Sequence, residues 1–409
     1  MNGIWICDVE ADSLKPTKIH VLSVSTPDGK IKKSTNNYDD MRKFLLNAKV
    51  IIGHNFMRWD AVHLERLLNI KISAKIIDTL ALSWILFPSR NRHGIEEWGI
   101  DFGVLKPKID DWENLTYEEY KHRCEEDVEI NRLLWNKIYE LLVNLYTKND
   151  KIWEFLDYIS FKMYCARLQE ASGWHVDLDR ANTTLKTLLD ERQKRVDELA
   201  LVMPPVPKYK IKEKPKVFFK KDGTYSSHAV AWNTLLSEYG LPGNHSEPIQ
   251  IFSHNEPPNP GSPSQVKDWL YSLGWVPRTF KTVKNKKTGE TKQVPQISLE
   301  QTKELCPSII KLIEKEPKLR VLEGLTVISA RIATLRGIVE SVDEDGKTMA
   351  QIQGITNTLR FQHATVVNLP KINRQYAEDI RGSLIAPDGY VLCGSDMASL
   401  KSGALISNY

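Results

Sequence analysis

Residues 4–11 read IWICDVEA, an apolar run that ends with two carboxylates, and this stretch decides the fold. Its β-branched and aromatic residues favour a strand, with Asp8 and Glu10 two residues apart at its end. Because side chains alternate along a strand, both carboxylates should face the same edge of a sheet. Such a pair can share a divalent cation, since Mg²⁺ and Mn²⁺ take oxygen ligands.

The segments that follow alternate between strand and helix patterns. IHVLSVST (residues 19–26) is strand-like, DDMRKFLLNA (39–48) is helical, and KVIIGHN (49–55) is a strand that ends in polar residues. A long amphipathic helix follows Thr116, which begins a capping box with Glu119. These patterns predict an α/β layer with a long helix behind it.

Two further acids complete a candidate metal site. HNFMRWD (residues 54–60) places Asp60 just after the third strand-like segment, and CEED (124–127) places Asp127 on the long helix. A two-metal site gathers carboxylates from separate elements to hold ions about 3.5–4 Å apart. Most acidic residues in proteins are solvated surface charges. The prediction therefore depends on all four acids occurring in this order and not on any one of them. The predicted ligands of two Mg²⁺ or Mn²⁺ ions are Asp8, Glu10, Asp60 and Asp127.

Three of these segments resemble the three motifs of the DEDD (ribonuclease H-like) proofreading exonucleases: DVEAD, HNFMRWD and CEEDVEIN, in that order. The resemblance covers residues 1 to about 145, and IDTLALSWIL and HGIEEWG resemble intervening segments of bacteriophage family A polymerases. It implies an α/β ribonuclease H-like 3′→5′ exonuclease that acts on single-stranded 3′ ends. It also implies that Asp8, Glu10 and Asp127 bind the metals, that Asp60 acts partly through bound water, and that Asn55 contacts the DNA strand.

The general base departs from the family pattern. Family A polymerases place a tyrosine four residues before the last acid, where this chain has Arg123. His122 has the His-x4-Asp spacing of the histidine-type branch of the superfamily, and imidazole titrates near neutral pH. We predict His122 as the base, with a surface histidine as the alternative. We expect Tyr120 to be less suited, on the interpretation that it lies on another helical face from Asp127.

Downstream, the patterns change to mostly helical. Helical periodicity covers residues 151–203 with a break at 172–174. After residue 293 a helical pattern begins again and continues to about residue 342. Between residues 204 and 263, stretches rich in Pro, Lys, Gly and Asn exclude a regular helix and indicate an inserted subdomain or a mobile loop. A second basic stretch, residues 281–293, predicts a hairpin.

This region resembles, more loosely, the front part of a family A (polymerase I-like) DNA polymerase. The resemblance implies a thumb-like region over residues 149–345 and the start of an α+β palm over 346–409, with primer-template DNA as the ligand. The palm motif departs from the family at Ala398 and Lys401. The segments that carry the likeness are SGWHVDLDRANTTL (172–185), NPGSPSQVKDWLYSLGWVP (259–277), TNTLRFQHATVVNLPK (356–371) and IRGSLIAPDGYVLCGSDMASL (380–400).

The same resemblance assigns further residues. Asp396 matches the metal-binding aspartate of the palm, and contacts with phosphates or the incoming nucleotide are implied for Arg360, His363, Asn368 and Arg381. The fingers helix and the motif with the second catalytic aspartate do not follow. Because one carboxylate cannot hold both metals, the chain by itself is expected not to polymerise DNA.

Several alternatives follow from this pattern. Three interpretations are open. In the first, the chain is the front half of a polymerase, and a second chain supplies the fingers and the remaining palm. In the second it is a product interrupted by an intervening sequence, and in the third it is a stand-alone nuclease with a DNA-binding thumb. The divergence that starts at Lys401 favours the interruption. An alternative of another class is a non-catalytic subunit whose insert at 204–263 holds a processivity factor or DNA.

Composition sets broad limits on these alternatives. With 41% hydrophobic and 26% charged residues and no long apolar run, the 409-residue chain is expected to be soluble and without a membrane partner. The start MNGIWICDVEAD lacks a signal peptide pattern, which predicts a cytoplasmic location, in a bacterial host if a phage encodes the chain. The five cysteines are scattered, which indicates neither a disulfide framework nor a zinc site. Residues 1–150 hold 21 basic and 23 acidic residues, against 35 and 29 downstream, which suits a metal site followed by a polyanion-binding surface.

Overall fold

The chain forms two compact units. The computed structural model describes residues 3–107, 115–284, 290–300 and 302–394. Unit 1 comprises residues 1–181 and 337–409, and unit 2 comprises residues 182–336. Unit 2 is therefore inserted between two chain segments of unit 1. None of the helices in the described part of the chain combines the length and apolarity that a bilayer crossing requires.

A mixed sheet lies at the centre of unit 1. Among the described residues its strands are β1 (Ile4–Ala11), β2 (Ile19–Ser25), β3 (Lys32–Thr35), β4 (Val50–Gly53) and β5 (Lys75–Asp78). They are ordered β3-β2-β1-β4-β5, with β1, β2 and β3 antiparallel and β1, β4 and β5 parallel. The segment IWICDVEA is thus the central strand, and Ile6 and Cys7 are fully buried. The predicted α/β layer is confirmed.

Helices pack around this sheet, and the longest of them was predicted from its cap. Thr116 accepts a hydrogen bond from the Glu119 backbone N–H, and the Glu119 carboxylate accepts one from the Thr116 backbone N–H at 2.7 Å. The capping box is therefore confirmed, and the helix packs against β1 and β2. The helices of this segment are α1 (Tyr38–Asn47), α2 (Asp60–Leu68), α3 (Thr79–Leu86), α4 (Ile95–Phe102), α5 (Tyr117–Leu145) and α6 (Asn149–Ser172), and β6 (Trp174–Val176) follows them.

The break predicted near residue 173 is also confirmed. α6 ends at Ser172, and Gly173 has φ +58°, a backbone conformation that L side chains rarely adopt. A Cβ at Gly173 would also lie only 3.3 Å from the Lys347 side chain and from the Thr348 carbonyl oxygen. Glycine at this position thus ends the helix and lets the chain turn into β6.

Unit 2 has its own apolar core. Buried Leu199, Trp269, Leu270, Ile309 and Leu319 belong to one cluster within it. Two antiparallel strand pairs stand outside that core, β7 with β8 and β9 with β10. The elements, including the two helices that cross between the units, are α7 (Leu178–Val202), β7 (Val206–Lys212), α8 (Ser227–Glu238), β8 (Ile249–Glu256), α9 (Pro263–Ser272), β9 (Phe280–Lys284), β10 (Thr291–Pro295), α10 (Pro307–Lys315), a 3₁₀ helix (Pro317–Leu322) and α11 (Leu325–Glu340).

The proline- and lysine-rich segment at 204–263 contains β7, α8 and β8 around a small apolar cluster. Its helix α8 lies between the two proline-rich stretches and was not predicted. The Ser226 side chain caps it by accepting a hydrogen bond from the Ala229 N–H at 3.1 Å. Trp232 and Leu236 from α8 and Ile249 from β8 are buried together. The two strands of the hairpin predicted in the second basic stretch pair as β9 and β10, and the turn predicted at Thr288 and Gly289 lies outside the described residues.

Short elements of the second chain segment complete unit 1. β6 pairs antiparallel with two of its strands, and Ile352 and Ile355 join the core cluster of the central sheet. The chain therefore returns to the body that its first segment forms. These elements are β11 (Lys347–Thr348), β12 (Ile352–Ile355), β13 (Phe361–His363), α12 (Ala377–Gly382) and β14 (Leu384–Ile385).

Candidate metal centre

Three carboxylates from β1 and α5 meet beside the central sheet. Asp8 and Glu10 share one face of β1, while Val9 between them is buried on the other side. Asp127 comes from α5 and is 5% exposed. One carboxylate oxygen from each of the three lies within 4.8 Å of the others, and we call this group the acid cluster.

Asp60 approaches the acid cluster from a third element. It is the first residue of α2, it follows the loop after β4, and it is buried. Burial, followed by the charges of Asp78, Glu10 and Asp127, raises the pKa of Asp60 to about 8. Asp60 is not a member of the acid cluster, which among the described residues consists of Asp8, Glu10 and Asp127.

The acids raise one another's pKa values. Burial raises the pKa of Asp8 well above its ordinary range, and the charges of Asp127, Asp60 and Glu10 add to that effect. Burial likewise raises the pKa of Glu10 to about 7, although the nearby Arg123 guanidinium acts in the opposite direction. Burial also raises the pKa of Asp127. Positive charge brought into the site would therefore be bound favourably.

Two cations lie in the site, and the sequence did not assign them a role. The Lys106 ammonium lies 2.6 Å from Asp127 Oδ2, and Arg123 Nε lies 3.0 Å from Glu10 Oε1. The four side chains in these two pairs are all mostly buried. Arg123 also donates a hydrogen bond to the Pro107 carbonyl at 3.3 Å. Arginine at the position of the family's tyrosine is thus an ion-pair partner of the acid cluster.

The structure does not bring His122 into this group. Its side chain is 63% exposed, and Nδ1 lies 3.9 Å from Glu126 Oε1 on the next turn of α5. Five residues of helix place His122 roughly 140° around the axis from Asp127, so the two side chains point in different directions. The expectation for Tyr120 was wrong: seven residues before Asp127 on the same continuous helix, it lies only about 20° from Asp127 around the axis. Tyr120 is buried and stacks on His20 with ring centroids 4.0 Å apart. The role of His122 as a base stays a prediction.

Asn55 is held beside the site by residues that the sequence analysis did not select. It has φ +64°, and its backbone N–H donates to Asp78 Oδ1 at 3.0 Å. Its side-chain oxygen accepts a hydrogen bond from Arg58 Nη2 at 2.8 Å. Asp78 is also the N-cap of α3, and an aspartate before the apolar run TLALSWIL was a signal that could have revealed it.

The residues matched to the polymerase lie in the second segment of unit 1. Arg360 is exposed, and its backbone N–H donates to Thr356 Oγ1 at 3.1 Å. His363 Nε2 lies 2.8 Å from Gln169 Nε2, within hydrogen-bond distance. Arg360 is therefore available at the surface, while His363 is held against α6.

Three further matched positions complete this set. Asn368 is exposed with φ +53°. Arg381 is exposed overall, but its Nε donates to the Pro370 carbonyl at 2.6 Å. Asp396 lies outside the described residues, so its predicted role in a palm metal site is not described by the structure.

Comparison with known proteins gives a likeness of fold. No family profile matches the sequence, and no curated protein matches it. Among solved structures, the POL domain of Pol1 from M. smegmatis, in complex with DNA primer-template and dNTP, matches with a TM-score of 0.55 and 14% identity. The chain is similar in fold to a polymerase domain. The match covers 95% of this chain, which spans 55% of the Pol1 chain.

Nucleases also match part of the chain. NrnC from Brucella melitensis with bound Mg²⁺ matches with a TM-score of 0.33 and 16% identity, over 41% of this chain and 87% of NrnC. NrnC bound to pGG matches with the same TM-score and 17% identity. These TM-scores are too low to show a shared fold, whereas the Pol1 match extends over almost the whole chain.

Proposed function

We propose that residues 1–148 are a metal-dependent 3′→5′ exonuclease domain of the proofreading type. They are followed by a thumb-like region at 149–345 and the start of a family A polymerase palm at 346–409. The likeness in fold to the Pol1 polymerase domain supports this proposal. The meeting of Asp8, Glu10 and Asp127 beside the central strand carries the nuclease part.

The donor set fits a pair of Mg²⁺ or Mn²⁺ ions. Carboxylate oxygens are the ligands these ions prefer, and the four acids come from β1, α2 and α5. Among the described residues, Asp127 Oδ1 is a buried oxygen with no hydrogen-bond partner. A buried unpaired oxygen is costly, and a cation ligated there would remove that cost. Asp8, Glu10 and Asp127 would hold the ions, with Asp60 acting partly through water.

Bound ions of this kind supply an activated water and stabilise the leaving 3′-oxygen. The protein residues would then position the DNA. Asn55, which is held by Asp78 and Arg58, is proposed to contact the single strand at its 3′ end. His122 is the proposed base, which requires a rearrangement from the exposed position that it has here. The proposed product is a 5′-mononucleotide.

Replacing two ligands of the proposed site tests the function. Asp8→Ala combined with Glu10→Ala should abolish Mg²⁺-dependent shortening of 3′-labelled single-stranded DNA. Glu140→Gln is the matched control, because Glu140 is an exposed acid at the other end of α5, and it should digest at the parent rate. The nuclease proposal fails if the double variant also digests at the parent rate. A parent chain that is inactive with Mg²⁺ and Mn²⁺ would instead favour the non-catalytic subunit.

A second experiment tests the base. If His122 deprotonates the attacking water, His122→Gln should lower the turnover number by about 10²–10⁴-fold with little effect on the binding of single-stranded DNA. Unchanged turnover would remove His122 from the mechanism. Arg123→Gln, measured in parallel, shows whether the residue that pairs with Glu10 contributes to catalysis instead.

The remaining parts of the proposal concern DNA and cellular context. Arg360 and Asn368 are exposed and, with His363 and Arg381, are proposed to contact primer-template DNA. Arginine suits such contacts through its bidentate geometry. We propose a role in DNA replication in the cytoplasm, which gel-shift measurements with primer-template and single-stranded DNA would begin to test.

A further inference from the structure

The insert in unit 2 contains a two-stranded ribbon with one covered face. β7 and β8 pair antiparallel along their whole length. Ile249 and Ile251 of β8 pack toward α8, where Trp232 and Leu236 are buried. We call residues 206–256 the ribbon subdomain. Its apolar core lies on the α8 side of the ribbon.

The other face of the ribbon exposes aromatic side chains. Tyr209 of β7 is directly opposite Phe252 of β8, and their ring centroids are 6.2 Å apart in an edge-to-face arrangement. Tyr209 is 54% exposed, Phe252 is 51% exposed, and Ile211 on the same face is 65% exposed. Large apolar side chains grouped at a surface mark interaction sites.

A second aromatic pair is exposed in the same subdomain. Phe219 and Tyr225 form an isolated β-bridge, and their rings stack with centroids 5.0 Å apart. Both side chains are at least half exposed. The subdomain therefore presents aromatic surface at two places, although its own core is satisfied by α8.

Positive charge outweighs negative charge in the chain segment that carries Tyr209, Phe219 and Tyr225. Residues 206–225 contain seven lysines against two acids, Glu213 and Asp222. Lys208 pairs with Glu256 at 3.2 Å, and no other of the seven is in an ion pair within the described part of the chain. The six exposed lysines are Lys210, Lys212, Lys214, Lys216, Lys220 and Lys221.

We propose that the ribbon subdomain binds single-stranded DNA, separately from the acid cluster. Unpaired bases can stack on exposed aromatic rings, and lysines beside them neutralise the phosphates. The bases of a duplex already stack on each other and would leave the rings of Tyr209 and Phe252 unused. A strand laid along β7, which spans roughly 20 Å at about 3.3 Å per residue, would pass the rings of Tyr209 and Phe252. Lys220 and Lys221 lie beside the second aromatic pair, in the turn that joins Phe219 to Tyr225.

Fluorescence anisotropy with a labelled 16-nucleotide oligothymidylate, in EDTA to prevent hydrolysis, tests the proposal on the full chain. Tyr209→Ala with Phe252→Ala should weaken binding by about tenfold or more. Tyr271→Ala, which removes a partly exposed aromatic of α9, should bind like the parent. Lys220→Gln with Lys221→Gln should lower the slope of log K against log salt concentration by about 1.4. Lys311→Gln with Lys315→Gln on α10 should leave that slope unchanged.

Location is tested by cross-linking. An oligothymidylate with 5-iodouracil should cross-link to peptides within residues 206–225 or 249–256, as identified by mass spectrometry. Cross-links that fall only in unit 1 overturn the proposal. It is also overturned if the aromatic and lysine variants bind the oligonucleotide like the parent, and a protein partner then becomes the expected ligand of this face. Because hydrolysis is absent from the assay, loss of the exonuclease function and loss of this site give different results.

Discussion

Replacing Lys106 by methionine removes a cation from the candidate metal centre while keeping most of the side-chain volume. The Lys106 ammonium lies 2.6 Å from Asp127 Oδ2, with the two side chains 12% and 7% exposed. Removing one partner of a buried ion pair costs about 3–5 kcal/mol. Proton uptake by Asp127 can relieve part of this cost, so we expect the metal-free variant to lose about 2–3 kcal/mol at pH 8.

The same change should strengthen the response to metal. If Lys106 and a divalent ion compete for Asp127, the variant should bind Mn²⁺ more tightly and gain more stability from it. Binding of an ion at 100 times its Kd stabilises a protein by about 2.7 kcal/mol. Mn²⁺ should therefore recover most of the stability that the variant loses in EDTA.

Urea unfolding followed by tryptophan fluorescence, in EDTA and in Mn²⁺, measures both effects. Lys121→Met is the matched control, since Lys121 forms a more exposed ion pair with Glu118 at 3.2 Å and should change stability by less than about 1 kcal/mol. The reasoning is refuted if Lys106→Met is as stable as the parent in EDTA, or if both gain equally from Mn²⁺.

Three further predictions follow from buried or capping groups. Because burial raises the pKa of Asp60 to about 8, the folded chain binds more protons than the unfolded chain between about pH 4 and 8. The free energy of unfolding of the metal-free chain should therefore fall as pH rises through that window. Urea unfolding at pH 5 and pH 8 should show a smaller fall for Asp60→Asn than for the parent. A fall of equal size in both proteins contradicts the prediction. Thr116→Ala removes the cap of α5 and should cost about 1 kcal/mol, which an unchanged midpoint in circular dichroism melts would disprove. Arg58 and Glu170 form a mostly buried ion pair at 2.8 Å, so Arg58→Met should lower the free energy of unfolding by about 3–5 kcal/mol. Lys151→Met, at an exposed ion pair, should lower it by less than about 1 kcal/mol. Losses of similar size in both variants, measured by urea unfolding, would refute the distinction.

Features set by local sequence were the ones predicted correctly. The strand IWICDVEA, the capping box at Thr116 and the break at Gly173 each depend on a few neighbouring residues. The meeting of Asp8, Glu10 and Asp127 was also expected, but from the order of the acidic segments and their resemblance to the three exonuclease motifs. Periodicity and capping are sufficient for such features.

Features that depend on distant contacts were missed. Nothing in the segment around Lys106 indicates that its ammonium reaches Asp127, and Arg58 contacts Glu170 and the Ile352 carbonyl, far along the chain. Spacing in the sequence alone also does not indicate which side chain of α5 faces the acids. On a continuous helix, a residue four positions before Asp127 lies nearly above it, so Arg123 points toward the acids and His122 does not.

Strand pairing around β6 joins the two chain segments of unit 1. Trp174 pairs with Thr348 and Val176 pairs with Leu384, so the backbone just before the insertion is bonded to the backbone just after it. A single protease cut within unit 2 would sever the covalent path while leaving the two parts of unit 1 joined by strand pairing and by the shared core. Nicked protein should thus elute from a sizing column as one particle and separate into two bands only after denaturation.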